Sequence, residues 1–284
     1  MINNILTRHT RILFLTLSIV ACQDDYMAEH NESIVVEGWI ESGEFPVVIV
    51  TRSAPVSDKS ININQLYDYV VKWAVVSISC GDTTVTLTGK YDNRYFPPFI
   101  YTTGNLRGEE LKTYTLNIDY KEYHVQAIST IPQAPRIDSL TVGATADNDS
   151  TPTLSVCFHD QYKSDNYYQI FVKKGSNSRQ YLASYLGCIN NTSTPQNHII
   201  PVHQAHQFGN KHYTPYFTSG DTVSVKLARI DRQSYIFWSE YENAITLSGN
   251  MMFPYTTNIP SNIVGGLGYW CGMGIDTRHT IITK

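Results

Sequence analysis

Cys22 is the residue of this chain whose neighbours assign it a reaction. It closes the run Ile19-Val20-Ala21-Cys22, which has the form of a lipobox. Ahead of it lie Arg8, Arg11 and an apolar stretch over residues 12–20, the layout of a secretory signal peptide. That stretch is too short to cross a bilayer, which takes about 20 apolar residues. In a lipobox the cysteine thiol is alkylated with a diacylglycerol, the chain is cut before the cysteine, and the new amino terminus is acylated. Each buried methylene contributes about 0.8 kcal/mol, and two or more acyl chains hold a protein on a membrane stably. Residues 1–21 are therefore expected to be a lipoprotein signal peptide and residues 22–32 a lipid-anchored tether. The covalent lipid on Cys22 is the expected attachment, and no cofactor is expected.

Other groups carry weaker chemistry. His203 and His206, spaced i and i+3 between His198 and His212, could share one zinc ion, but the glutamate of a metalloprotease motif and any carboxylate between His198 and His212 are missing. Asp147-Asn148-Asp149 has acid spacing that calcium could use, yet the central glycine and further acids of a calcium loop do not follow, so a turn is expected. With Cys22 lipidated, Cys80, Cys157, Cys188 and Cys271 remain. One disulfide, Cys157 with Cys188, or four free thiols would both fit an exported chain. Tyr91, Tyr95, Phe96, Phe99 and Tyr101 crowd one connection, residues 89–104. Such rings either form a patch that stacks on a glycan or grips a peptide, or fold back to cap a core.

The elements that must hold these residues read as strands. Period-two, β-branched runs cover residues 34–40, 46–51, 70–79, 83–87, 113–119 and 122–129, separated by Gly, Pro, Asn and Asp. Cys80-Gly81-Asp82 reads as a tight hairpin turn. The two prolines of Ile131-Pro132-Gln133-Ala134-Pro135 fix φ and remove donors, so residues 131–136 are expected to be a stiff linker. A second set of strands follows at residues 137–144, 153–159, 167–173, 180–186 and 222–230. Asp231 can cap a helix over residues 232–245, whose aromatic positions fall at helical spacing. Residues 262–272 are glycine-rich, which suits turns and close backbone approach, and residues 280–282 form a last strand. The expected fold is mainly β: two tandem immunoglobulin- or fibronectin-like sandwiches, residues 33–130 and 137–284, with one short helix near the C-terminus.

Composition bounds the function. The chain has 284 residues, 42% of them hydrophobic and 16% charged, which is a globular balance. Removing residues 1–21 takes away Arg8 and Arg11 and no acid, so 21 basic residues fall to 19 against 25 acidic. A nucleic-acid partner is thereby disfavoured. No Gly-x-Ser-x-Gly elbow is present, and no catalytic role is expected of any residue.

Four stretches together resemble one family: Ile34-Val35-Val36-Glu37-Gly38-Trp39-Ile40; Ile131-Pro132 before a new strand; residues 221–230 leading into an aromatic helix; and Ser261-Asn262-Ile263-Val264-Gly265-Gly266-Leu267-Gly268. They are similar to the Bacteroidota lipoproteins of the domain-of-unknown-function family 4249, across nearly the whole mature chain. The resemblance implies an outer-membrane lipoprotein, often encoded beside TonB-dependent transporters, and carries over no active-site residue. Gln23-Asp24-Asp25 likewise resembles the signal that sends such lipoproteins to the outer face of the outer membrane. The expectation is a non-enzymatic accessory or binding component on the cell exterior, partnered by the membrane, a TonB-dependent transporter and a glycan or peptide ligand. A surface adhesin or structural lipoprotein is the alternative, and an envelope hydrolase the third reading.

Overall fold

The computed structural model describes residues 32–54, 67–145, 148–160, 165–175, 180–191, 197–205, 213–247 and 259–283. Cys22 with its leader, Asp147, His206 and His212 lie outside the described residues.

The first half of the described chain supplies β1 (Ile34–Glu41), β2 (Val47–Arg52), β3 (Val75–Cys80), β4 (Thr83–Thr86), β5 (Thr88–Tyr91), β6 (Phe99–Thr102), β7 (Thr113–Tyr120) and β8 (Tyr123–Thr130). The second half supplies β9 (Ile137–Thr145), β10 (Asn148–His159), β11 (Asn166–Lys174), β12 (Leu182–Asn191), β13 (Asn197–Val202), β14 (Thr222–Ile230), helix α1 (Arg232–Leu247), β15 (Ile263–Val264) and β16 (Leu267–Ile281). Among the described residues the strands form an eight-stranded sheet in the order β12-β11-β14-β16-β1-β2-β6-β5, a five-stranded sheet β15-β8-β7-β3-β4, and a three-stranded sheet β13-β10-β9.

Alternation builds the layers, because successive side chains of a strand leave by opposite faces. On β1, Ile34, Val36 and Ile40 are buried against Tyr114, Leu116 and Ile118 of β7 and Val125 and Ala127 of β8, the core between the eight- and five-stranded sheets. Further along the large sheet, Tyr168, Ile170 and Val172 of β11 and Val223, Val225 and Leu227 of β14 meet Leu154, Val156 and Phe158 of β10, the core against the three-stranded sheet. The mainly β fold with a C-terminal helix is thus present. The Asp231 cap is formed as well, its carboxylate accepting the Ser234 amide at 2.7 Å. The Cys80–Thr83 pair closes the expected hairpin, with Gly81 at φ +57°.

Three stretches differ from expectation. The glycine-rich tail is a long strand: β16 pairs parallel with β1 from Leu267 to Met273, then antiparallel with β14 from Gly274 to Ile281. A single strand therefore belongs to both halves, and residues Ser33–Lys284 form one compact unit. Glycine is needed where the connector crosses it. A Cβ on Gly272 would sit 2.7 Å from the Thr130 carbonyl carbon, and one on Gly274 would sit 2.3 Å from the Pro132 oxygen. The proline-rich segment accordingly lies on β16 with Ile131 fully buried, rather than spanning solvent as a spacer. Two strands also stand where none is expected: β13 in the histidine-bearing stretch, and β6 within the connection of residues 89–104.

Candidate functional site

The face of the large sheet that looks away from both cores carries Glu37, Trp39 and Glu41 of β1, and Tyr269, Cys271 and Met273 pair with them on β16. Helix α1 covers part of this face, packing Trp238 against Phe171, Ala228, Cys271 and Met273. The β5–β6 connection folds over another part, where Tyr95 packs with Val47, Ile49, Ile100 and Trp39. Between these two covers the face is open. A cleft of two lobes, each of about 500 Å3 and so suited to a small ligand, opens here: one lobe lies on this face, the other at its margin, where Val172 and Phe217 of the second core also line it. Arg94, Tyr95, Lys173, Gln180 and Leu182 line both lobes.

The lobes differ in charge. One is lined by Arg94, Lys173 and Lys174 and by no acid among the described residues. The other contains Glu37, Glu41 and Glu44 beside Lys173, Lys226 and Arg94. Two of these cations are already held. The Lys226 ammonium donates to both oxygens of Glu41, at 2.6 and 2.7 Å, and lies 4.3 Å from the centre of the Tyr181 ring. Arg94 donates from Nε and Nη2 to Asp92 at 3.0 and 2.7 Å, and this hydrogen bonding holds the Asp92 carboxyl below its ordinary range.

Glu37 has no such partner among the described residues. It accepts one hydrogen bond, 3.3 Å from the Tyr269 hydroxyl. Its carboxyl reaches water in the cleft, yet the surrounding protein and rings desolvate it and push its pKa up to about 7. Burial beside that carboxyl also raises Tyr269 and Tyr241 above the ordinary tyrosine value. The wall here is a stack of rings: Trp238 to Tyr269 at 5.3 Å, Phe237 to Tyr269 at 4.5 Å and Trp238 to Tyr241 at 5.7 Å. On the other side Trp39 and Tyr95 meet at 5.9 Å. The indole Nε1 of Trp238 is buried without a hydrogen-bond partner among the described residues.

The residues singled out by sequence scatter across this picture. Of the aromatic set, Tyr95 and Phe96 line the cleft. Phe99 and Tyr101 are core residues, the Tyr101 hydroxyl donating to the Val71 carbonyl at 2.9 Å. Tyr91 stands exposed against Phe99 at 5.2 Å, and it does not line the cleft. The structure does not bring Cys157 and Cys188 together, and all four cysteines among the described residues are free. Cys157 sits on β10 with its thiol 3.8 Å from the Thr141 hydroxyl. Cys188 sits on β12, where burial raises its pKa and its thiol donates to the Tyr235 carbonyl. His203 has its Nδ1 3.1 Å from the Tyr185 carbonyl, and its amide donates to Ser184. His198 stacks on Phe158 at 4.8 Å, and burial lowers its pKa. No group of three or more His, Cys, Asp or Glu able to hold a metal occurs among the described residues.

What the sequence did not reveal is the cleft floor. Glu37 and Glu41 alternate with the apolar face of β1, a pattern that reads as ordinary solvent exposure. Lys226, Tyr241 and Tyr269 reach them only through the fold.

The molecule is thus a mainly β protein with an aromatic, charge-bearing cleft on the free face of its largest sheet. The chain belongs to the family described as domain of unknown function DUF4249, whose model matches residues 23–279. No curated protein matches it.

Proposed function

We propose that this protein is an envelope lipoprotein that binds a ligand in the cleft and performs no chemistry on it. In this reading lipid on Cys22 anchors it to the outer membrane, facing the exterior, beside a TonB-dependent transporter. Its two halves act as tandem immunoglobulin-like sandwiches that share β16. The observation that carries the binding role is the lobe on the free sheet face, where Glu37, Trp39, Tyr241 and Tyr269 line open volume instead of filling a core. The anchor is supported by Ile19-Val20-Ala21-Cys22, and the transporter by the resemblance of residues 34–40, 131–132, 221–230 and 261–268 to the lipoproteins named above.

The test is mild-detergent purification from native outer membranes followed by mass spectrometry. Acylated Cys22, a co-purifying transporter and a bound small molecule that is lost in a Tyr95→Ala, Phe96→Ala variant are the expected results. An unmodified chain recovered alone and empty would overturn the reading.

A further inference from the structure

We infer that the floor of the cleft takes an organic cation, with the Glu37 carboxylate as counter-ion and Trp39, Tyr241 and Tyr269 as aromatic walls. The inference rests on reading the cleft as a ligand site and names the chemical class of what enters it.

Three features converge on a cation. First, the fold gathers the groups around one point. β1 places Trp39 two residues beyond Glu37 on the same face, β16 sets Tyr269 directly across from Glu37, and α1 brings Tyr241 alongside. Second, Glu37 has no ion pair among the described residues. Lys226 is held by Glu41, Arg94 by Asp92, and Lys173 lies 5.1 Å from the centre of the Tyr181 ring, so Glu37 is left with a phenol as its partner among the described residues. Glu37 opens to the cleft, so a cation entering there meets a carboxylate that no other cation among the described residues neutralises. The titratable groups facing it are Tyr269 from β16 and Tyr241 from α1, while β2 offers the apolar Ile49. Third, the walls suit a positive charge. Aromatic faces attract cations within about 6 Å, more strongly where water is excluded. An anion would meet both the ring faces and the carboxylate unfavourably, and a neutral sugar would leave Glu37 without a counter-ion.

Calorimetric titration of the full mature protein at pH 8 with choline and with its neutral isostere 3,3-dimethylbutan-1-ol tests the inference. Choline is expected to bind about tenfold or more tightly than the neutral compound. Glu37→Gln, nearly identical in shape, should lose about tenfold in choline affinity and leave the neutral compound unchanged. Glu122→Gln, which removes one negative charge from the exposed β7–β8 turn, should leave both affinities unchanged. Equal binding of the two compounds, weakened together in Trp39→Ala, would overturn the cation site while leaving the cleft a ligand site. Choline affinity unchanged in Glu37→Gln, or no binding of choline to the wild-type protein, would also overturn it. The cleft reading itself is judged separately, by the small molecule recovered from outer membranes.

Discussion

Lys226 and Glu41 stand 185 residues apart in the chain and meet at 2.6 Å, each about nine-tenths buried at the side chain. Removing one partner leaves the other charge buried and uncompensated, which costs about 3–5 kcal/mol, whereas replacing both by apolar side chains is often close to neutral. Chemical denaturation should therefore show Lys226→Met destabilised by roughly that amount, with Glu41→Leu combined with Lys226→Met recovering most of the loss. A double variant no more stable than the single one would mean that the loss does not come from an uncompensated charge on Glu41.

Glu37 makes a prediction of the opposite kind. Its carboxyl is pushed up to about 7 from an ordinary 4.5, so the folded chain holds a proton there that the unfolded chain releases between those values. The stability from this group is fully present below the unfolded value and is lost as pH rises through the folded one. Denaturation at pH 5 and at pH 8 should show Glu37→Gln gaining on the wild-type protein as pH rises, and a constant difference would refute the shift. Water reaching the carboxyl through the cleft mouth keeps the effect smaller than it would be in a sealed core.

At the scale of elements, the β5–β6 connection divides its rings between two tasks. Phe99 is 8% exposed and Tyr101 2%, so both belong to the core, whereas Phe96 is 44% exposed at the rim of the cleft. Phe99→Ala should cost about 3–5 kcal/mol in thermal or chemical unfolding, while Phe96→Ala should stay within about 0.5 kcal/mol. A large loss from Phe96→Ala would show that this ring holds the fold instead of lining a site.

The same connection shows where sequence reading reaches its limit. The clustering of aromatic residues was visible as a cluster, but which ring enters the core depends on β6 pairing with β5 and β2, a contact no local pattern encodes. Where period-two alternation was strong the elements could be read: β14 spans residues 222–230 as expected, and Asp231 starts the helix at Arg232. β16 was hidden because Gly268, Gly272 and Gly274 remove the β-branched signal from the strand that carries Tyr269 and Trp270. The floor of the cleft was hidden with it.

At the scale of the whole molecule, β16 decides whether the halves are separate. Trp270 is fully buried in the first core, and its indole Nε1 donates to the Tyr114 carbonyl at 3.0 Å. Seven residues further along the same strand, Thr277 pairs with Lys226 at the second half of the sheet. Two sandwiches joined only by a linker would unfold in two steps, and damage to one would leave the other unchanged. A shared central strand couples them, because displacing β16 exposes the edges of β1 and β14 together. Trp270→Ala should cost about 3–5 kcal/mol and lower a single calorimetric transition as a unit. If calorimetry instead resolves two transitions and Trp270→Ala moves only one, the halves are independent domains. The cleft, which draws Glu37 from one half and Lys226 from the other, would then lie at a joint whose closure the two domains could vary, and ligand affinity would be expected to follow the angle between them.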